Sequence, residues 1–99
     1  MNTRDDIKPI VHDISEVTGV PEMKIMQEGR GNYAESDARF MLYAIMYRGF
    51  DVNIPQISRI VGRTHGSVSM GIKRILDLEK VEKKTARHMN ALREKGYTI

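Results

Sequence analysis

Cysteine is missing from this chain of 99 residues, and no stretch of it is apolar for long. Without cysteine there is no disulfide scaffold, no thiolate metal site and no thiol nucleophile, which fits a reducing cytoplasm. No apolar run approaches the roughly 20 residues that a membrane span needs. The opening MNTRDDIKP lacks the apolar core of a signal peptide. The phosphate-cradling pattern GxxxxGK[ST] occurs nowhere, so no P-loop ATPase is expected. Internal repeats and low-complexity segments are also absent. These gaps leave one soluble, cytoplasmic domain covering residues 1–99.

Acids are missing from one place in particular. Residues 1–50 carry six bases and eight acids, yet between Val52 and Leu76 there are four bases (Arg59, Arg63, Lys73, Arg74) and no acid. The formal net charge of the chain is only +3, so it is this local concentration that makes an electropositive surface. Apolar residues make up 40% of the chain and charged residues 29%, ordinary values for a folded domain.

The apolar spacing is helical nearly throughout. Ile7, Ile10, Val11 and Ile14 fall at i, i+3, i+4 and i+7, with Val17 extending the stripe. Asp5 or Asp6 can cap this first helix, Pro9 is tolerable in its first turn, and Gly19 can end it. A short turn from Pro21 to Met26 offers Met23 and Ile25 or Met26 inward. Gln27 to Glu35 reads as a loop. Ser36 is placed to cap a third helix ending at Gly49, which buries Phe40, Met41 and Ile45, with Leu42 and Met46 beside them. Asn53, Pro55 and Gln56 form the start of a fourth helix that ends at Val61–Gly62. Thr64 can cap a fifth, with Val68, Ile72, Ile75 and Leu76 on one face. Neither glycine nor proline occurs from Ile72 to Lys95, so this helix continues, or breaks near Lys80–Lys84 into a sixth ending at Gly96. No segment reads as a strand. The expected fold is all-α, a bundle of five or six helices.

Within it, IPQISRIVGRTHGSVSMGIKRI has the layout of a helix-turn-helix. Ile57 and Val61 anchor the first helix, and Ser58 is small where two helices cross. Gly62 sits where the turn needs a positive φ. At about 100° per residue, Val68, Ile72 and Ile75 face inward, leaving Gly66, Met70 and Lys73 outward. Thr64, His65, Gly66 and Ser67 offer short side chains to base edges in a groove, and Met70 can meet a thymine methyl. Arg63, Lys73 and Arg74 are placed for phosphate.

At these residues the chain resembles the C-terminal DNA-binding domain (domain IV) of the bacterial replication initiator DnaA, of the Trp-repressor-like helix-turn-helix superfamily. That family's signature, roughly P-E-I, then G-G-R-D-H-T-T-V, then R-K-I, appears as Pro55-Gln56-Ile57, Gly62 to Val68 and Lys73-Arg74-Ile75. The resemblance covers about residues 7–78 and leaves an extra C-terminal helical segment, 79–95. It implies that His65 and Ser67 read bases, that Arg30 enters the minor groove from the loop, and that Arg39, opening the third helix, touches DNA. Thr64 stands where the family has an acid, Gly66 where it has a threonine, and Ala38-Arg39 where it has Arg-Gln. The resemblance implies the reading head of a replication or transcription regulator, bacterial or encoded by a phage or mobile element and nucleoid-associated, without ATPase activity. The alternative is a protein-interaction module that keeps the fold but binds a replication or transcription partner.

The expected partner is double-stranded DNA, with no membrane and no small-molecule substrate. No cofactor, metal site or catalytic residue is expected. His12 and His88 have no ligand-spaced companions, and the side chains of His65 and Ser67 diverge by about 200° on one helix. A domain of this size has little room for a deep pocket. Leu78, Val81, Thr85, His88 and Leu92 lie at heptad-like spacing. They either close the domain over the first helix or make a homodimer contact through the C-terminal helix.

Overall fold

The computed structural model describes residues 1–27 and 31–99, and among these no strand occurs. Six helices follow one another: α1 (Arg4–Thr18), α2 (Glu22–Met26), α3 (Tyr33–Ala44), α4 (Ile54–Val61), α5 (His65–Val81) and α6 (Lys83–Glu94), with a π-type turn, Ile45–Gly49, extending α3. The Cα radius of gyration is 11.9 Å.

The helix α1 begins earlier than its carboxylates suggest. Thr3, not Asp5 or Asp6, is the N-cap residue. Asp6 instead occupies the third helical position, where Oδ2 accepts from the backbone N–H groups of Asn2 (2.7 Å) and Thr3 (3.0 Å). Those bonds hold its carboxyl below the usual carboxylate range. The early start moves Pro9 out of the first turn and into the second, at the exposed side of the helix. Ile7, Ile10, Val11 and Ile14 are buried, and Gly19, at φ 78°, closes the helix with its N–H on the Ser15 carbonyl.

In α2 only Ile25 is buried, while Met23 is 78% exposed. Expecting Met23 inward was wrong because five residues give little more than one turn. Once Ile25 faces the core, a residue two positions earlier points about 200° away.

The helix α3 is capped by Asn32, whose Oδ1 accepts from Glu35 N at 2.9 Å, so it starts three residues before the expected Ser36 cap. It is the central element, packing on α1, α2 and most extensively on α5. Ala38, Arg39, Met41, Leu42, Tyr43 and Ala44 are all buried.

The helix α4 starts as the sequence implies, with Asn53 Oδ1 accepting from Gln56 N at 2.9 Å. Its last carbonyls, Ile60 and Val61, accept from the Arg4 guanidinium, a cation at the negative end of the helix. Gly62 has φ 72° and gives its N–H to Ser58 O at 2.9 Å. Any other residue would be strained there. Ser58 is buried, and its hydroxyl donates to the Arg63 carbonyl, which ties the turn together.

The break between α5 and α6 falls at Glu82, inside the expected window, and that one extended residue ends one helix and begins the next. The break resets the register, so the heptad-like series does not run through. Val81 is 82% exposed, and Thr85, Met89 and Leu92 form the buried stripe of α6, which packs on α1 and α5. The C-terminus then meets α1: Tyr97 donates to the Asp13 carboxylate, and burial first, then that anion, push the phenol's pKa up.

Candidate nucleic-acid interface

Two short elements set the geometry here. The Gly62–Thr64 turn reverses the chain after α4, and Thr64 caps α5 by accepting Ser67 N–H at 3.1 Å. The Thr64 hydroxyl in turn donates to Ser67 Oγ at 2.9 Å. The cap therefore orients both hydroxyls at the start of α5. Val68, Gly71, Ile72 and Ile75 bury the opposite face against α3 and α4, so α5 is anchored along one side only.

Of the base-reading residues expected from the sequence, Thr64, His65, Gly66, Ser67 and Met70 are all exposed on the first turns of α5. Nothing lies within 4 Å of where a Gly66 Cβ would be, so that position is open to close approach. Met70 is 74% exposed, a large apolar side chain held in solvent.

The expected phosphate-contacting residues divide. Lys73 is exposed and pairs with Asp77 one turn on, at 3.2 Å. Such an exposed pair is worth little and can be exchanged for a phosphate cheaply. Arg74 is exposed, lies over the Tyr33 ring with its guanidinium carbon 5.9 Å from the centroid, and approaches Asp37 at 3.9 Å. Burial pushes the Asp37 carboxyl above its usual range, and Arg74 opposes that shift. Arg63 is half-buried and donates to the Gln27 carbonyl at 3.1 Å. Arg30 lies outside the described residues.

Arg39 departs from expectation. It is only 5% exposed, with Nη2 donating to the Lys24 carbonyl at 3.3 Å. Its helix starts at Tyr33 and not at Ser36, so Arg39 sits in the second turn, on the face turned towards α2. Buried there, it does not stand on the exposed surface with Lys73 and Arg74.

The sequence reading also missed a cleft of about 720 Å³ beside α5, lined by Tyr33, Ser36, Arg39, Phe40 and Tyr43 from α3 and by Arg63, Ser67, Met70, Gly71 and Arg74. Its wall depends on Gly71, because a Cβ there would come within 2.4 Å of the Phe40 ring. The Tyr43 phenol is pushed up by burial, against the pull of the nearby Arg63 and Arg39 guanidiniums. The available signal was the Asn32-Tyr33-Ala34-Glu35 capping pattern, which places Tyr33, Phe40 and Tyr43 on a single helix.

Among the described residues no group of His, Asp and Glu could hold a metal, and no helix is long and apolar enough to cross a membrane. Comparison of the chain with protein-family models, with curated proteins and with solved structures found no match.

Proposed function

We propose that this chain is a sequence-specific duplex-DNA-binding domain, with α4, the Gly62 turn and α5 acting as a helix-turn-helix. The observation that carries the reading is the exposed first half of α5. Thr64, His65, Gly66, Ser67 and Met70 stand clear of the body, flanked by Arg63, Lys73 and Arg74, within a segment that has no acid from Val52 to Leu76. Short polar side chains at the start of a one-sidedly anchored helix suit base edges in the major groove, and the cations suit the phosphates on either side. The resemblance to the DnaA reading head agrees with this assignment. The domain would act as a replication or transcription regulator without ATPase activity of its own.

Selection from a randomised duplex library, followed by titrations across salt concentrations, tests the reading. The expected result is an enriched motif and a log–log salt slope of about −0.9 per phosphate neutralised. His65→Ala and Ser67→Ala should relax the preference at individual base pairs, and Lys73→Ala should weaken binding to all sequences alike. No enriched motif and no duplex binding at low salt would overturn it. The second reading, a protein-interaction module, is favoured by the withdrawal of Arg39 and the exposure of Met70. It expects a stoichiometric protein partner in place of DNA.

A further inference from the structure

The cleft between α3 and α5 is lined in part by a buried charge, Arg39, that makes no ion pair among the described residues. Arg39 is 5% exposed, its Nε has no hydrogen-bond partner, and among the described residues no carboxylate lies within ion-pair distance of it. A guanidinium in that setting carries a desolvation cost that an anion alongside it would offset. The same cleft is bordered by Arg63 and Arg74, so three planar cations line one space. Guanidiniums match phosphate oxygens with paired donors.

The rest of the lining is aromatic. Phe40 and Tyr43 lie with ring centroids 6.1 Å apart, and Tyr33, 80% exposed, stands at the rim beneath Arg74. A cleft of about 720 Å³ is far larger than an inorganic anion needs and falls in the range of small-molecule sites. Three cations suit a phosphate dianion better than a single carboxylate, and the aromatic lining, Phe40 and Tyr43 inclined at 51°, suits a ring packed against one of its faces.

We propose that this cleft binds a nucleoside monophosphate group, with its phosphate at Arg39 and Arg63 and its base against the aromatic wall. The group could be a free nucleotide or an unpaired nucleotide of a strand, since both present the same base and phosphate. The site does not depend on duplex DNA docking on α5.

The test is an NMR titration of the full chain with adenosine monophosphate, with no duplex present, so failure of the duplex reading leaves its outcome untouched. Saturable shifts are expected at the amides of Tyr33, Phe40 and Gly71. Inorganic phosphate and benzoate should each bind about tenfold more weakly or worse, because each lacks one half of the recognised group. Arg39→Met keeps the buried volume and removes the charge, and Tyr33→Ala alters only an exposed side chain; each should weaken binding about tenfold. A thermal melt of each variant separates lost binding from lost folding. A parallel titration with a single strand of about six nucleotides distinguishes the sources. Binding by the mononucleotide assigns a free ligand, and binding by the strand alone assigns an unpaired nucleotide. The proposal is overturned if neither saturates, if phosphate or benzoate binds as well as the nucleotide, or if both folded variants bind unchanged.

Discussion

Gly62 and Gly71 stand nine positions apart, yet they are required for different reasons. Gly62 holds φ 72° where the chain leaves α4, so alanine there is strained by its backbone. Gly62→Ala should lower stability by about 1 kcal/mol through the backbone. Gly71 has helical φ and is limited by space, because its Cβ would fall 2.4 Å from Phe40 Cδ1. Gly71→Ala should cost about 1–3 kcal/mol by overpacking, and should also shift the Phe40 ring towards the cleft. Urea unfolding measures both, and a Gly71→Ala midpoint equal to wild type would show that the ring yields freely. His88 adds a pH dependence. Burial chiefly, then Lys84 and Arg87, hold its imidazole below the usual 6.5, with Glu82 opposing. As pH falls through 6.5 the unfolded chain takes up this proton before the folded one does, so stability declines down to the lowered folded value. His88→Asn should flatten the thermal midpoint across that window, and an unchanged slope would assign the dependence elsewhere. At this scale the sequence spoke clearly about Gly62, Ile7 and Val68, whose roles follow from backbone sign or periodicity. It misplaced Arg39, through the cap that starts its helix, and Met23, which lies two positions before the inward Ile25.

Elements were legible where a cap and a periodic stripe agreed. Asn53 before Pro55-Gln56 and Thr64 before the Val68 stripe both mark helix starts, and both side chains accept the backbone N–H three residues on. The third helix was misread because the glycines at 29 and 31 made Gln27–Glu35 look like uniform loop, which hid Asn32-x-x-Glu35 inside it. The two candidate caps make opposite predictions. Asn32→Ala should cost about 1 kcal/mol and speed amide exchange over Tyr33–Ser36, since it removes the acceptor for Glu35 N–H. Ser36→Ala replaces an interior helical residue with a better helix former, and should leave that exchange as it is or slow it. The reverse result would place the helix start back at Ser36. The same misplacement moved Arg39 from the expected opening turn to the buried second turn, so one cap error accounts for the cleft going unseen.

For the whole molecule, the question is whether α6 belongs to the domain or is attached to it. The sequence was expected to carry its resemblance only to about residue 78, with the remainder as an addition. The packing argues otherwise. Met89 and Leu92 are fully buried in the common core, on a helix that packs on α1 and α5, and Arg93 pairs with Glu79 across the break. Lys95 approaches Asp13 and Glu16 at 3.9 Å, and Tyr97 bonds to Asp13, so the C-terminus is fastened along α1. The inward stripe Thr85, Met89 and Leu92 is also the surface a coiled-coil dimer through this helix would need, and it is already covered. The full chain should therefore sediment as a monomer. A chain truncated after Glu82 would uncover the side of α1 on which α6 packs and would remove two large core side chains, Met89 and Leu92, worth about 2–5 kcal/mol each, against a total stability of about 5–15 kcal/mol for a domain. Such a truncation should melt without a cooperative transition, by circular dichroism and by calorimetry alike. If the truncated chain melts as sharply as the full one, α6 is an appendage and the domain ends with α5.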